Sequence, residues 1–148
     1  MSETISLRAT RTDQDRIIEI WREASRAGHP FLSEQDLDAQ EHLTRREHLP
    51  RADIVVAELD GEIVAFIATL GVNIGALFVS PDVQGRGIGR LLIENAQARS
   101  TRLKLGVYEA NNAARAFYKR LGFIEVDRRE RDDEGRPLPM LNFAWDRS

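Results

Sequence analysis

Residues 83–89 read VQGRGIG, three glycines and one arginine in seven positions, and run directly into RLLIENA. Glycine is costly to order, so such a cluster marks a chain that turns tightly or admits something close to its backbone. A phosphate fits this pattern. A strand-to-helix turn aims backbone N–H groups at the anion, and the helix N-terminus adds about half a positive charge. Arg86 and Arg90 can add charge-assisted hydrogen bonds to phosphate oxygens. Two phosphate motifs fail on spacing. A dinucleotide fingerprint needs G-x-G-x-x-G at the first βα turn; counted from Gly85 and Gly87, the third glycine falls on Arg90, and the loop sits mid-chain. A nucleoside-triphosphate loop needs a Gly-Lys pair, and the sequence has none. The alternative use of these glycines is structural, to let a helix pack closely on a strand.

Composition narrows the classes further. A chain of 148 residues, 42% hydrophobic and 30% charged, is expected to form one soluble globular domain over residues 1–148. The absence of cysteine removes thiol nucleophiles, disulfides and Cys-based metal sites. His42 and His48 share no tight spacing with an acid, so no metal site is expected. No stretch approaches the ~20 apolar residues of a membrane span, and the start MSETISLRAT lacks a signal-peptide core. A cytoplasmic protein without a membrane partner is the expectation. The net charge of −3 argues against general nucleic-acid binding. Charge placement is more informative. From Gln84 to Arg120 there are eight basic residues against two acids, a local +6 that leaves −9 for the rest of the chain. A basic block around the glycine loop points to an anionic ligand, and two solvated basic helix faces would explain part of it.

The elements that must position this loop are legible in outline. TISLRAT alternates as a strand. Thr12 and Asp15 have capping-box spacing ahead of a helix whose Ile17, Ile20, Trp21 and Ala24 share one face. Gly28 and Pro30 break that helix, and Ser33 with Asp36 opens a shorter one towards His48 and Pro50. DIVVAEL and EIVAFIATL flank Asp60-Gly61, a pair suited to a two-residue hairpin. IGALFVS is a strand stopped by Pro81, and GRLLIENAQARS resumes helical periodicity. LKLGVYE reads as a strand, and NNAARAFYKRLGF as a helix opened by an Asn cap and closed by Gly122. FIEVDRRER and LPMLNFAW are strands joined by the turn-rich DDEGRP. The order β-α-α-β-β-β-α-β-α-β-β predicts an α/β fold, a mixed sheet with helices on both faces. Strands joined through helices 87–99 and 112–121 should run parallel; those within 53–80 and 123–146 should form antiparallel hairpins.

Q-x-x-G-x-G after a strand at Gln84, Gly87 and Gly89, followed by N-x-x-A-x-x-F-Y-x-x-x-G-F from Asn111 to Phe123, resembles the GNAT superfamily of N-acetyltransferases. The element order is similar to that acyl-CoA N-acyltransferase fold across essentially the whole chain. HPFL, ALFVSPDVQGRGIGR, FYKRLGF and DDEGRPLPMLN are similar, more narrowly, to small bacterial YjaB-type acetyltransferases. The resemblance implies direct transfer of the acetyl group of acetyl-CoA to a primary amine of a small molecule or a peptide, with monomer and homodimer both open. A non-catalytic acyl-CoA-binding sensor is the alternative.

The same resemblance implies a site. Acetyl-CoA would lie between splayed strands at 74–80 and 103–109, with the backbone at Phe78 and Val79 pairing with its pantetheine amides and Leu77 among the cofactor-binding residues. Its pyrophosphate would meet Gln84, Gly85, Arg86, Gly87, Ile88, Gly89 and Arg90. Asn111, Ala114, Phe117 and Tyr118 match family positions near the coenzyme, and Arg115 or Lys119 would reach its adenosine end. A backbone N–H near Val79 would receive the oxyanion. Tyr118 is the candidate general acid, a phenol of pKa about 10 loosely matched to a thiol of about 8 to 9. Its alternative is a core aromatic beside Phe117. Many relatives carry a glutamate on the strand before the loop as base, but NIGALFVS offers no carboxylate. His29, Glu109 and a water chain are left as candidates. His29, Phe31 and Leu32 in GHPFL, with the DDEGRPLPM hairpin, are the expected acceptor-binding segments; Trp21 would add an apolar wall or simply fill the core.

Overall fold

The computed structural model describes residues 4–148; residues 1–3, the beginning of the start read above as leader-free, lie outside the described residues. The two β-branched runs form β2 (Asp53–Leu59) and β3 (Glu62–Leu70), after β1 (Ile5–Thr10). Asp60 and Gly61 join β2 to β3 at φ 51° and 88°. Two successive positive φ angles give the type I′ turn whose twist matches the strands it connects. β4 (Asn73–Val79), β5 (Arg102–Tyr108), β6 (Ile124–Arg129) and β7 (Met140–Asp146) complete a seven-stranded sheet in the order β1-β2-β3-β4-β5-β7-β6.

The expected hairpins are antiparallel, and β4 runs parallel to β5 across the helix between them. One neighbour relation could not be read locally. β7 inserts between β5 and β6, so those two strands share a direction without touching. Strand order is a long-range property, and the run of residues into β6 carries no sign of it.

Four helices cover the two faces. On one, α1 (Gln14–Gly28) and α2 (Glu34–Leu43) bury Ile17, Ile20, Trp21 and Leu37 against Val56, Phe66 and Ala68. On the other, α3 (Ile88–Ala98) and α4 (Asn112–Arg120) bury Leu92, Ile93 and Tyr118 against Ala65, Ile67, Leu105 and Phe143. Alternate residues of β2 and β3, such as Val55 and Ala57 against Ile54 and Val56, thus supply the two cores, as the two-residue period of a strand requires. Among the described residues no helix is long and apolar enough to cross a membrane.

Of the four capping signals in the sequence, those of α2 and α4 behave as expected and that of α1 does not. Ser33 and Asp36 form a reciprocal capping box, Asn111 accepts the Ala114 N–H at 3.1 Å, and Gly122 closes α4 at φ 93°. Thr12 does not cap α1. The N-cap is Asp13, left-handed at φ 66°, and its carboxylate is taken by the Thr10 hydroxyl at 2.9 Å and the Arg8 guanidinium at 3.4 Å. A local side-chain network there outcompetes the cap. α2 also ends earlier than its pattern suggests. It passes at Thr44–His48 into a π turn and at Leu49–Arg51 into a 3₁₀ turn.

Candidate active site

β4 and β5 are registered at a single pair, Asn73 with Lys104, supported by the Lys104 N–H donating to the Val72 carbonyl at 2.8 Å. A bulge in the β3–β4 ladder between Ala68 and Thr69 lies beside this point. Bulges sharpen local twist, which here directs β4 away from β5. The gap widens into a cleft of about 490 Å³, bordered by Ala76–Phe78 of β4, Gly106–Tyr108 of β5, and Asn111, Ala114 and Tyr118. That volume lies in the range of small-molecule sites.

The parted strands present unspent backbone groups to the cleft. The Ser80 N–H donates to the Val64 carbonyl at 2.8 Å, and Phe66 pairs with Phe78 in the same ladder. Residues of a strand alternate the side to which their backbone groups point. Leu77 and Val79 therefore turn theirs to the open edge, whereas Phe78 spends its own on β3. The expectation of a Phe78 backbone contact is corrected accordingly: Phe78 offers the cleft its ring. The Val79 carbonyl accepts from the Gln84 side chain at 3.2 Å, which leaves the Val79 N–H as the donor at this end.

The glycines of the loop have two different causes. Gly85 and Gly87 sit at φ 82° and 80°, where an L side chain is strained, and nothing lies within 4 Å of where a Cβ would stand. They shape an open bend, and Gly87 is the N-cap of α3 without a side-chain cap bond. Gly89 is different. A Cβ there would stand 3.4 Å from the Phe117 ring and 3.5 Å from a Val79 methyl, so the absence of a side chain lets α3 sit close to both. Ile88 is core at 1% exposure and offers the loop only its backbone, while Arg90 is exposed and pairs with Glu94 at 3.3 Å. The loop borders neither cavity described here.

Tyr118 borders the cleft and is packed by Phe117, Phe123 and Phe143, with ring centroids at 5.1, 5.5 and 6.5 Å. It is a core aromatic and a cleft residue at once. Burial raises its phenol above the ordinary range, and no described residue hydrogen-bonds its hydroxyl. The phenol is thus fully protonated at neutral pH.

The two candidate bases stand in different surroundings. His29 stands among Tyr108, Phe31 and Phe78, at centroid distances of 5.0, 5.5 and 6.4 Å. Burial pushes its imidazole down to about 4, so it stays neutral but binds a proton weakly. Glu109 is held by Arg128 at 2.6 Å, which lowers its carboxyl, and it borders a separate 360 Å³ pocket with Phe31, Tyr108 and Arg115. Arg115 reaches the Glu109 carbonyl at 3.4 Å in that pocket. Leu32, expected at the acceptor site, is 7% exposed, packs into the α1–α2 core and borders neither cavity.

The most connected group at the cleft escaped residue-by-residue reading. The Tyr108 hydroxyl donates to Asp132 at 2.9 Å and accepts from Gln40 at 3.2 Å. Asp132, with 1% of its side chain exposed, also accepts from the backbone N–H groups of Glu134 and Arg136 and from the Arg136 guanidinium at 3.1 Å. Arg136 continues to Asp36, the capping residue of α2, at 3.0 Å. The β6–β7 loop is thereby fastened to α2 and to the end of β5. The turn-rich DDEGRP gave a signal for the loop, since an aspartate at a turn accepts from N–H groups two residues on, but none for its partner tyrosine.

Residues 50–125 match the acetyltransferase (GNAT) domain family. The chain is 39% identical to the peptidyl-lysine N-acetyltransferase YjaB of Salmonella typhimurium, over 95% of this chain and 98% of that one. The solution structure of apo-form YjaB from Escherichia coli superposes with a TM-score of 0.86 at 37% identity, covering 98% of this chain and 99% of that one. The PaiA N-acetyltransferase of Thermoplasma acidophilum, solved in complex with coenzyme A, shares the fold at a TM-score of 0.76 and 17% identity, covering 95% and 99% of the two chains.

Proposed function

The chain belongs to the GNAT acetyltransferase family, and on that premise we propose that it acetylates the side-chain amine of a peptidyl-lysine. Use of acetyl-CoA and transfer of its acetyl group to an amine come with the family. The lysine acceptor is drawn from the YjaB relatives, which carry that name. The observation that carries the reading is the seam between β4 and β5, closed at one registered pair and open where Tyr118 stands.

The residues present suit the coenzyme. Leu77 and Val79 turn backbone groups to the open edge, where an amide-bearing arm would add like a strand. Gly85 and Gly87 leave open space ahead of the uncapped start of α3, where a pyrophosphate would lie with Gln84, Arg86 and Arg90 near it. When bound, acetyl-CoA supplies an acyl carbon activated as a thioester.

The chain's own groups then divide the work. The Val79 N–H is the donor for the oxyanion, a preorganised interaction worth about 3 kcal/mol in comparable sites. Tyr118, which borders the cleft, gives its proton to the departing sulfur. Asn111 spends its side-chain oxygen on capping α4, which fixes the helix that carries Tyr118. His29 and Phe31 wall the acceptor side as neutral aromatic surface. Residues 1–148 work as one catalytic unit in the cytoplasm, on this reading.

Release of coenzyme A thiol from acetyl-CoA is the test, with lysine peptides, a free α-amine and butylamine as acceptors. Lysine-dependent release with mass-resolved N-ε-acetyl product is the expected result. Tight coenzyme binding with release by no acceptor would instead favour a sensor.

A further inference from the structure

The lysine reading leaves the ammonium proton without a receiver. β4 carries no carboxylate, His29 binds a proton weakly, and Glu109 is pinned by Arg128. Four carboxylates border the two cavities: Glu47, Glu109, Asp133 and Glu134. Glu47 is exposed, and Asp133 is 73% exposed and paired with Arg129 at 2.7 Å. Glu134 is the exception. Its backbone is open to solvent, but its side chain keeps only 28% exposure and accepts one long hydrogen bond, from Arg136 at 3.4 Å. Arg136 itself is engaged more closely by Asp132 and Asp36.

We propose that Glu134, in the same cleft as Tyr118, is the carboxylate that receives the acceptor amine and takes its first proton. The inference rests on the acetyl-transfer reading above. Its position is built. Asp132 accepts the Glu134 N–H at 3.1 Å and the Arg136 N–H at 2.8 Å, so the loop that presents Glu134 is tied through Tyr108 and Gln40 to β5 and α2. The groups around it pull both ways, and burial leads. Burial and the charges of Asp132 and Asp133 raise the Glu134 carboxyl, Arg136 opposes them, and Glu47 and His48 face the same cleft from the π turn after α2.

The proton account closes. A lysine ammonium gives one proton to the Glu134 carboxylate and becomes a neutral amine, whose lone pair forms the N–C bond as the C–S bond breaks. The second proton lost by nitrogen replaces the one that Tyr118 gives to sulfur. Glu134 returns its proton to solvent through its exposed side, and the products are amide, thiol and one released proton.

The experiment compares wild type with E134Q and E134D, using whichever amine of the lysine peptide, α-amine and butylamine set the wild type turns over. E134Q should lower kcat/KM for the amine about 100-fold, a typical share for a proton-transfer group. It should leave the KM for acetyl-CoA and the thermal midpoint unchanged and abolish the carboxylate limb of the pH–rate profile. E134D should recover part of the rate. E134Q within threefold of wild type with the same pH profile overturns the proposal. Turnover of butylamine but not of lysine peptide rejects the lysine reading while leaving Glu134 on trial. Turnover of no amine overturns both.

Discussion

His29 to phenylalanine changes one titration and little else. The ring sits among three aromatic neighbours at 5.0–6.4 Å, and the helix closure it makes, its N–H donating to the Ser25 carbonyl at 2.8 Å, belongs to the backbone. Burial moves the imidazole from an ordinary 6.5 to about 4. Below pH 6.5 the unfolded chain takes up a proton that the folded chain refuses until about pH 4, so stability falls as pH falls through that window. The shift of about two and a half pKa units corresponds to about 3 kcal/mol at ~1.4 kcal/mol per unit. In a chain of this size that is about 6–12 °C in Tm. Carboxylates held low, such as Asp36 and Glu109, also lose stabilisation on acidification, but they do so in both proteins and cancel in the difference. Urea unfolding at half-unit steps from pH 7 to 4 should show wild type losing about 3 kcal/mol more than H29F. Parallel curves would refute a buried neutral His29 and reopen it as a base.

Tyr118→Phe should cut single-turnover acetyl transfer at least tenfold with coenzyme A affinity unchanged; an unaltered rate removes Tyr118 as the acid. Gly87→Ala should cost about 1–2 kcal/mol, because φ 80° strains an L side chain in otherwise open space. Gly87→Glu adds a charge at the start of α3, and calorimetry should find coenzyme A binding weakened tenfold or more; equal affinity in a folded variant rejects the phosphate role of the loop. Asp132→Asn breaks a buried ion pair with 1% exposure and should cost about 3 kcal/mol in chemical unfolding. It should also raise the KM for the amine more than that for acetyl-CoA.

Features specified within a few residues were legible in the sequence. The Asp60-Gly61 turn, the Ser33–Asp36 box and the Asn111 cap each depend on neighbours within a turn of chain, and their residues admit few other conformations. The glycine loop was legible as a strand-to-helix bend, whereas the close approach of Phe117 to Gly89 was not. What required the fold was state rather than place. Nothing near His29 announces that Tyr108 will desolvate it, and nothing near Glu109 announces Arg128. The insertion of β7 between β5 and β6 is equally non-local, since both orders satisfy the same alternation. Glu134 lay inside a hairpin already expected at the acceptor side, but its burial depends on a clamp whose members come from α2, β5 and the β6–β7 loop.

The seam at Asn73 and Lys104 also bears on where binding energy goes. Most of the sheet's backbone pairing is spent within two groups of strands, β1 to β4 and β5 with β7 and β6, while α1 and α3 hold the assembly by side-chain packing. Beyond Asn73 and Lys104, β4 and β5 are held apart by the fold itself. On the proposed reading, a coenzyme whose amides paired along this edge would have no ladder to pry open. Affinity that another architecture would lose to rearrangement is retained for the contacts themselves.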